Sequence, residues 1–256
     1  MKRCMSISIK KLCFVGVFLL FSLYDQSAFG QGVAIKLLGD FQEDWKKHWV
    51  KRSVFQKPAR PMFDMNSSGK RIPYQVVEDK NDSVLRMDSH ENATVLWRMI
   101  NIHSFKFGKI RWRWKVDKSL TGNRHERKKV GDDYAARVCV IFEPHLVSWK
   151  TRAIHYVWAG KEPIGSVFKN PYTESVATIV VESGNKLTGK WVSEDRNFVN
   201  DYEKIFAKTP EMISAVAIIV DTDNTQTRAR AWFDDIVLEF WRPKKPGYSA
   251  MPGLRD

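Results

Sequence analysis

The residues best equipped for chemistry lie on one short run, Ile110-Arg111-Trp112-Arg113-Trp114-Lys115-Val116, in which cations alternate with large apolar side chains. At a two-residue period, Arg111, Arg113 and Lys115 share one side of a strand, and Trp112, Trp114 and Val116 share the other. A guanidinium offers two parallel N–H donors, the geometry that carboxylates and sulfates accept. If neighbouring strands set Arg98, Arg137 and His155 beside this row, the product is a basic floor for an acidic ligand. If they do not, the same alternation is an ordinary sheet face turned to water. Arg137 stands apart because its flanks, Ala136 and Val138, are small and apolar, so its charge is expected inside the protein.

Enzymatic readings draw on further residues. Cutting a polyuronate by β-elimination needs a cation on the sugar carboxylate, a base for the C5 proton and an acid for the leaving oxygen. Arg137, His155 and Tyr172 are of the right types. Tyr156 is the weaker acid, since it and His155 point to opposite faces of one strand. Glycoside hydrolysis would use carboxylates from Gly131-Asp132-Asp133 and Asp221-Thr222-Asp223-Asn224, set roughly 5 to 9.5 Å apart. A structural reading competes: Asp132 and Asp133 pair with Arg137, and the second segment is a turn whose side chains bond its own backbone. Zinc-ligand spacings, phosphate loops and serine-nucleophile elbows are absent from the sequence, so no catalytic cofactor is expected.

Strand patterning places these residues. Alternating runs bounded by turn formers occur at 74–78, 83–88, 94–101, 108–117, 135–143, 152–158, 177–182, 215–221 and 230–240. Short breaks and few helical intervals favour antiparallel pairing, because parallel neighbours need long crossovers. The expected fold is all-β, an antiparallel two-sheet sandwich of jelly-roll type with one short amphipathic helix. That helix is expected at 196–208, where Phe198, Val199, Tyr202, Ile205 and Phe206 recur at three- and four-residue steps before Thr209-Pro210.

The first thirty residues predict export. Lys2, Arg3, Lys10 and Lys11 precede an apolar run at 12–23, and Ala28-Phe29-Gly30 supplies small residues at the cleavage positions before Gln31. The run is short for a membrane span. The expected organisation is a cleaved signal peptide at 1–30, one sandwich domain at 31–241 and a mobile tail at 242–256, giving a periplasmic or secreted protein with no membrane-spanning segment. Loss of Cys4 and Cys13 with the leader leaves Cys139, in a β-branched run where a thiol is buried and unreactive. The net charge is +13, and the chain stays basic without its leader. Export combined with a basic surface favours an anionic envelope or extracellular polymer over nucleic acid.

The motifs Ile110-Arg111-Trp112-Arg113-Trp114-Lys115-Val116, Gly131-Asp132-Asp133-Tyr134-Ala135-Ala136-Arg137-Val138, His155-Tyr156-Val157-Trp158, Asn170-Pro171-Tyr172-Thr173 and Asp221-Thr222-Asp223-Asn224-Thr225 resemble, in this order, a bacterial family catalogued as domain of unknown function 3047. The resemblance extends over about 38–240 and implies export without assigning an activity. A broader similarity is to jelly-roll carbohydrate-binding modules, through Gly39-Asp40-Phe41-Gln42-Glu43-Asp44-Trp45 and Ala231-Trp232-Phe233-Asp234-Asp235-Ile236-Val237-Leu238. That similarity implies a structural calcium ion held by Asp40, Glu43 and Asp234, with Gln42 standing where an acidic residue is usual.

The resulting expectation is an exported jelly-roll protein that binds an acidic glycan without catalysis, through Arg98, Arg111, Arg113, Arg137 and His155. Two alternatives stand beside it: a polysaccharide lyase or glycosidase on the same scaffold, and a cell-envelope assembly factor.

Overall fold

The computed structural model describes residues 32–39, 41, 50–51, 73–103, 107–142 and 151–242. The expected leader at 1–30, Asp40, Glu43 and the expected tail beyond residue 242 lie outside them. In chain order the elements are strands β1 (Gly32–Gly39), β2 (Val50–Lys51), β3 (Tyr74–Asp79), β4 (Asp82–His90), β5 (Ala93–His103), β6 (Phe107–Val116), β7 (Ala136–Phe142) and β8 (Ala153–Ala159). After them come β9 (Val167–Asn170), β10 (Thr173–Ser183), β11 (Val192–Arg196), helix α1 (Phe198–Phe206), β12 (Met212–Asp221) and β13 (Arg228–Arg242). All nine strands expected from the sequence are present, and the fold is the all-β sandwich that alternation requires. Among the described residues, no helix is long and apolar enough to cross a membrane.

Two sheets form the layers. The first runs β11-β6-β13-β4-β3, with β1 also paired to β13, and the second runs β2-β5-β12-β7-β8-β10-β9. Leaving β1 aside, pairing is antiparallel except between β8 and β10, which lie parallel from Val176 opposite Ala153 to Ser183 opposite Ala159. The expected all-antiparallel pairing therefore needs one correction. The crossover is made by a loop and the short strand β9, which folds back onto β10, so no helix is needed. Strands β2, β9 and β11, being short or polar, carry weak sequence signals and were not expected from the sequence; neither was β1, although Gly32–Gly39 is mostly apolar.

The core sits between the sheets and is strongly aromatic. Trp112 and Trp114 of β6 project inward, meeting edge to face at 5.4 Å, and rest on Tyr156 at 5.4 Å and Trp158 at 5.8 Å. Such offset contacts suit ring quadrupoles better than parallel stacking. Helix α1 closes one end. The Asn197 side chain accepts the Asn200 backbone N–H at its start, and Ala207, in a left-handed conformation, ends it three residues before Pro210. Phe198 packs 6.2 Å from Phe142, and Tyr202 packs 4.6 Å from the same ring. Asp201 fastens the helix to both sheets: it accepts from Arg196 at 2.7 and 3.1 Å and from the Tyr156 hydroxyl at 2.9 Å.

Gly108 is where the helix and β6 come closest, and a Cβ there would overlap the Phe198 ring. Gly108→Ala is expected to cost about 1–3 kcal/mol through overpacking. The midpoint of thermal unfolding is the check, with a clear fall expected against wild type.

Candidate ligand-binding face

On the outer face of the first sheet, registration assembles a row of side chains from five strands' worth of sequence. Trp232 of β13 lies opposite Lys115 of β6 on one side and Arg86 of β4 on the other, and Arg86 lies opposite Gln75 of β3. Since Val192 pairs with Trp114, Trp191 stands at the mouth of β11 beside Lys115. The ammonium of Lys115 thus sits between two indoles, 5.1 Å from the Trp191 ring centroid and 4.6 Å from that of Trp232. Cations are attracted to such rings at these separations. Asp79, at the end of β3, accepts from Lys115 Nζ at 2.5 Å and from Trp191 Nε1 at 2.8 Å. The Lys115 bond, then the Trp191 bond, holds its carboxyl below the usual range.

Arg113 is bound on three sides. It contacts Asp82 and Asp234, lies 2.9 Å from Asp235, and stacks 4.8 Å from the Trp191 ring centroid. A bulge in β13 between Asp234 and Val237, with Asp235 at φ 51°, aims these carboxylates at it. Burial pushes Asp234 up to about 6 even though Arg113 works against it. Arg111 pairs with Glu239 and is the most exposed cation of the row, at 45% against 23% for Arg113 and 15% for Lys115. Beside them runs an open groove of about 370 Å³, bordered by Arg111, Arg113, Ser193, Asp195, Asp235 and Val237.

The remaining candidates from the sequence lie elsewhere. Arg98 is directed to β1, donating to the Leu38 carbonyl at 2.6 Å. Arg137 and His155 are on the outer side of the second sheet, so the five expected ligand-binding residues do not form one floor. Arg137 is 3% exposed, 2.9 Å from Asp221 and 3.5 Å from Asp132, with the Tyr134 ring at 4.7 Å. Burial opposes its charge, but Asp132 and Asp221 outweigh burial and hold the guanidinium above the ordinary arginine range. His155 lies between Cys139 and Thr178 across the strands. Burial, then the charge of Arg137, brings it down to about 3, so it is neutral and weakly basic. Burial pushes the Cys139 thiol up to about 12, in keeping with an unreactive cysteine. The Tyr172 hydroxyl is exposed, within bonding distance of the Lys129 carbonyl and the Asn224 side chain. None of Arg137, His155 and Tyr172 borders the groove beside Arg111 and Arg113.

The two acidic loops do meet. Asp133 accepts from the backbone of Asn224 and Thr225, the Asn224 amide at 3.0 Å and the Thr225 hydroxyl at 2.6 Å. Asn170 donates to Asp132 at 2.8 Å. Three of the sequence motifs thereby converge on a clamp that ties loop to loop, the structural reading of those carboxylates. As for calcium, Asp40 and Glu43 lie outside the described residues, and Asp234 faces a guanidinium. Among the described residues, the three carboxylates close enough to share a cation are Asp133, Asp221 and Asp223, mutually within 4.8 Å.

Trp191, Asp79 and Asp82 were not singled out from the sequence, and Trp232 and Asp235 entered only within the segment at 231–238, not as binding residues. For Trp232 the signal existed, because Ala231 and Phe233 on either side must face the core. For Trp191 none did, since it precedes a strand too polar to recognise.

The sequence model of the family described as "Protein of unknown function (DUF3047)" matches residues 63–237, a shorter span than expected. No curated protein matches the chain. Among solved structures, a family 29 carbohydrate-binding module is similar at 5% identity and TM-score 0.38, over 81% of this chain and 92% of that one. A non-crystalline cellulose specific module of family 28 gives 13% and 0.39, over 84% and 97%. Winged bean acidic lectin complexed with methyl-α-D-galactose gives 8% and 0.41, over 83% and 100%.

Two consequences are measurable. Arg137→Ala leaves buried carboxylates without their cation and is expected to cost about 3–5 kcal/mol, read as a lower urea midpoint. The second concerns Glu194 of β11, on the core side of the groove floor, which accepts from Trp114 Nε1 at 3.3 Å. Burial, with the nearby Glu182 adding to it, pushes this carboxyl up to about 7. A raised folded-state value stabilises fully below about pH 4.5 and loses that contribution as pH rises through 7. Urea midpoints measured from pH 5 to 8 are therefore expected to fall less in Glu194→Gln than in wild type, with Asp234 retaining part of the slope.

Proposed function

The chain belongs to the family described as protein of unknown function (DUF3047), and from that premise we propose that it is an exported protein that binds a saccharide, without catalysis, on the outer face of its first sheet. The observation that carries this reading is the pair of half-exposed indoles, Trp191 and Trp232, held in one row on either side of Lys115. A sugar ring presents an apolar C–H face bordered by hydroxyls. An indole fixed beside carboxylates and guanidinium groups meets both parts, the ring by stacking and the polar groups by hydrogen bonds.

Fixing the rings in advance lowers the cost of ordering them on binding. Asp79 restrains Trp191 through its indole N–H, and Arg113 lies over the same ring. The groove beside Arg111 and Arg113 extends the contact along the strand. Within this row Arg111 is the cation best placed for a sugar carboxylate or sulfate, because Arg113 and Lys115 are more enclosed by their own partners. The acidic preference proposed for the ligand is thereby concentrated on Arg111. The export leader supports a glycan of the envelope or its surroundings as the partner.

Affinity electrophoresis through gels containing neutral and acidic polysaccharides tests the reading. Wild-type protein is expected to be retarded by at least one of them, and Trp191→Ala or Trp232→Ala to lose about tenfold or more in affinity, as buried aromatic anchors do. Equal mobility of wild type and both variants in every gel would end the proposal.

A further inference from the structure

A second groove, of about 360 Å³, opens at the end of the first sheet where β6 leaves and β13 begins. It is bordered by Lys118, Ser119, Thr121, Gly122, Thr227 and Arg228. Its charges differ in kind from those of the face just described. There, Arg111, Arg113, Lys115 and Arg230 each have a carboxylate partner. Lys118 and Arg228 are exposed, and among the described residues neither has an ion pair. Asp117 precedes the groove in sequence but does not border it.

The walls are built rather than loose. The Ser119 backbone N–H and hydroxyl both donate to Asn185 Oδ1, at 2.8 and 3.0 Å. The Asn123 N–H closes the turn onto the Leu120 carbonyl at 2.8 Å, and its buried side-chain amide donates to Gly131 O at 2.7 Å. Thr121 and Thr227 also border the groove, the Thr227 hydroxyl sharing a hydrogen bond with that of Thr225 at 2.8 Å. Two cations without ion pairs beside a fixed loop suit an anionic oxygen cluster.

We infer that the Lys118–Arg228 groove is an oxyanion subsite, taking a sulfate ester or uronate carboxylate of a glycan that runs along β6. Val116, the last residue of β6, lies about 17 Å along the strand from Arg111 at ~3.3 Å per residue, and Lys118 follows two residues later. A single extended oligosaccharide can therefore touch the first groove, the two indoles and this subsite. The identity of the ligand rests on the saccharide reading above; the anion site itself does not.

Gly122 allows a test that spares the fold, because a Cβ there meets nothing within 4 Å and no left-handed backbone is required. Inorganic sulfate is titrated into labelled protein, and amide resonances are followed by NMR. Saturable shifts are expected at Thr121, Gly122 and Thr227 in wild type and Gly122→Ala, and not in Gly122→Asp or the double variant Lys118→Ala, Arg228→Ala. Wild-type resonances that do not move, or variants that respond as wild type does, would overturn the site. Affinity gels with dextran sulfate, alginate and neutral dextran then separate the sources. The double variant is expected to lose about tenfold on sulfate ester, uronate or both, with neutral dextran unchanged. Sulfate binding in NMR without retardation in any gel would uphold the groove and overturn its assignment to a glycan.

Discussion

Everything on the outer face of the first sheet depends on how the cations of β6 are neutralised. Strand alternation forces Arg111, Arg113 and Lys115 onto one side, about 7 Å apart, where like charges repel. Counter-charges arrive from three distant parts of the chain. Asp79 and Asp82 come from the hairpin between β3 and β4, Asp234 and Asp235 from the bulge of β13, and Glu239 from farther along β13. Pairing them pulls the hairpin toward β6 and holds the bulge in place. The indoles are fixed as a by-product, since Asp79 bonds Trp191 as well as Lys115. A face that looks basic in the sequence is charge-balanced in the fold, and its recognition chemistry passes from the cations to the rings.

The second sheet solves a comparable problem differently. Arg137 is placed by β7 among apolar neighbours, and its charge is tolerated because Asp132 and Asp221 close on it. Partner removal is costly for such buried pairs even when their net contribution to stability is modest. Asp133 adds a second link by capturing the backbone of Asn224 and Thr225. The two loops are thus held in one arrangement at one end of the sandwich. At the opening beside β6 and β13, by contrast, Lys118 and Arg228 have no ion pair among the described residues.

Legibility in the sequence followed the strength of the local pattern. The inward tryptophans and outward cations of β6 were readable because seven residues alternate without a break. The burial of Arg137 was readable from Ala136 and Val138. Helix α1 was readable from Phe198, Tyr202 and Phe206, though its last residues give way to the left-handed Ala207. What could not be read was which face each cation shares. Arg111 and Arg137 are on different sheets, and only strand order decides that. Nor could the sequence reveal that Asp79 reaches Lys115, since the contact joins β3 to β6 past β13 and β4, which no motif announces. Parallel pairing of β8 with β10 was hidden for a related reason: β9 is too short and exposed to announce itself as a strand.

The central claim is that the ligand lies on Trp191 and Trp232. The most direct measurement is a titration of a retained oligosaccharide into labelled protein, following the indole N–H resonances. The account predicts that those of Trp191 and Trp232 move together and saturate, while those of the core residues Trp112, Trp114 and Trp158 stay still. Shifts confined to the loops of Asp133, Tyr172 and Asn224, with both outer indoles unmoved, would contradict it.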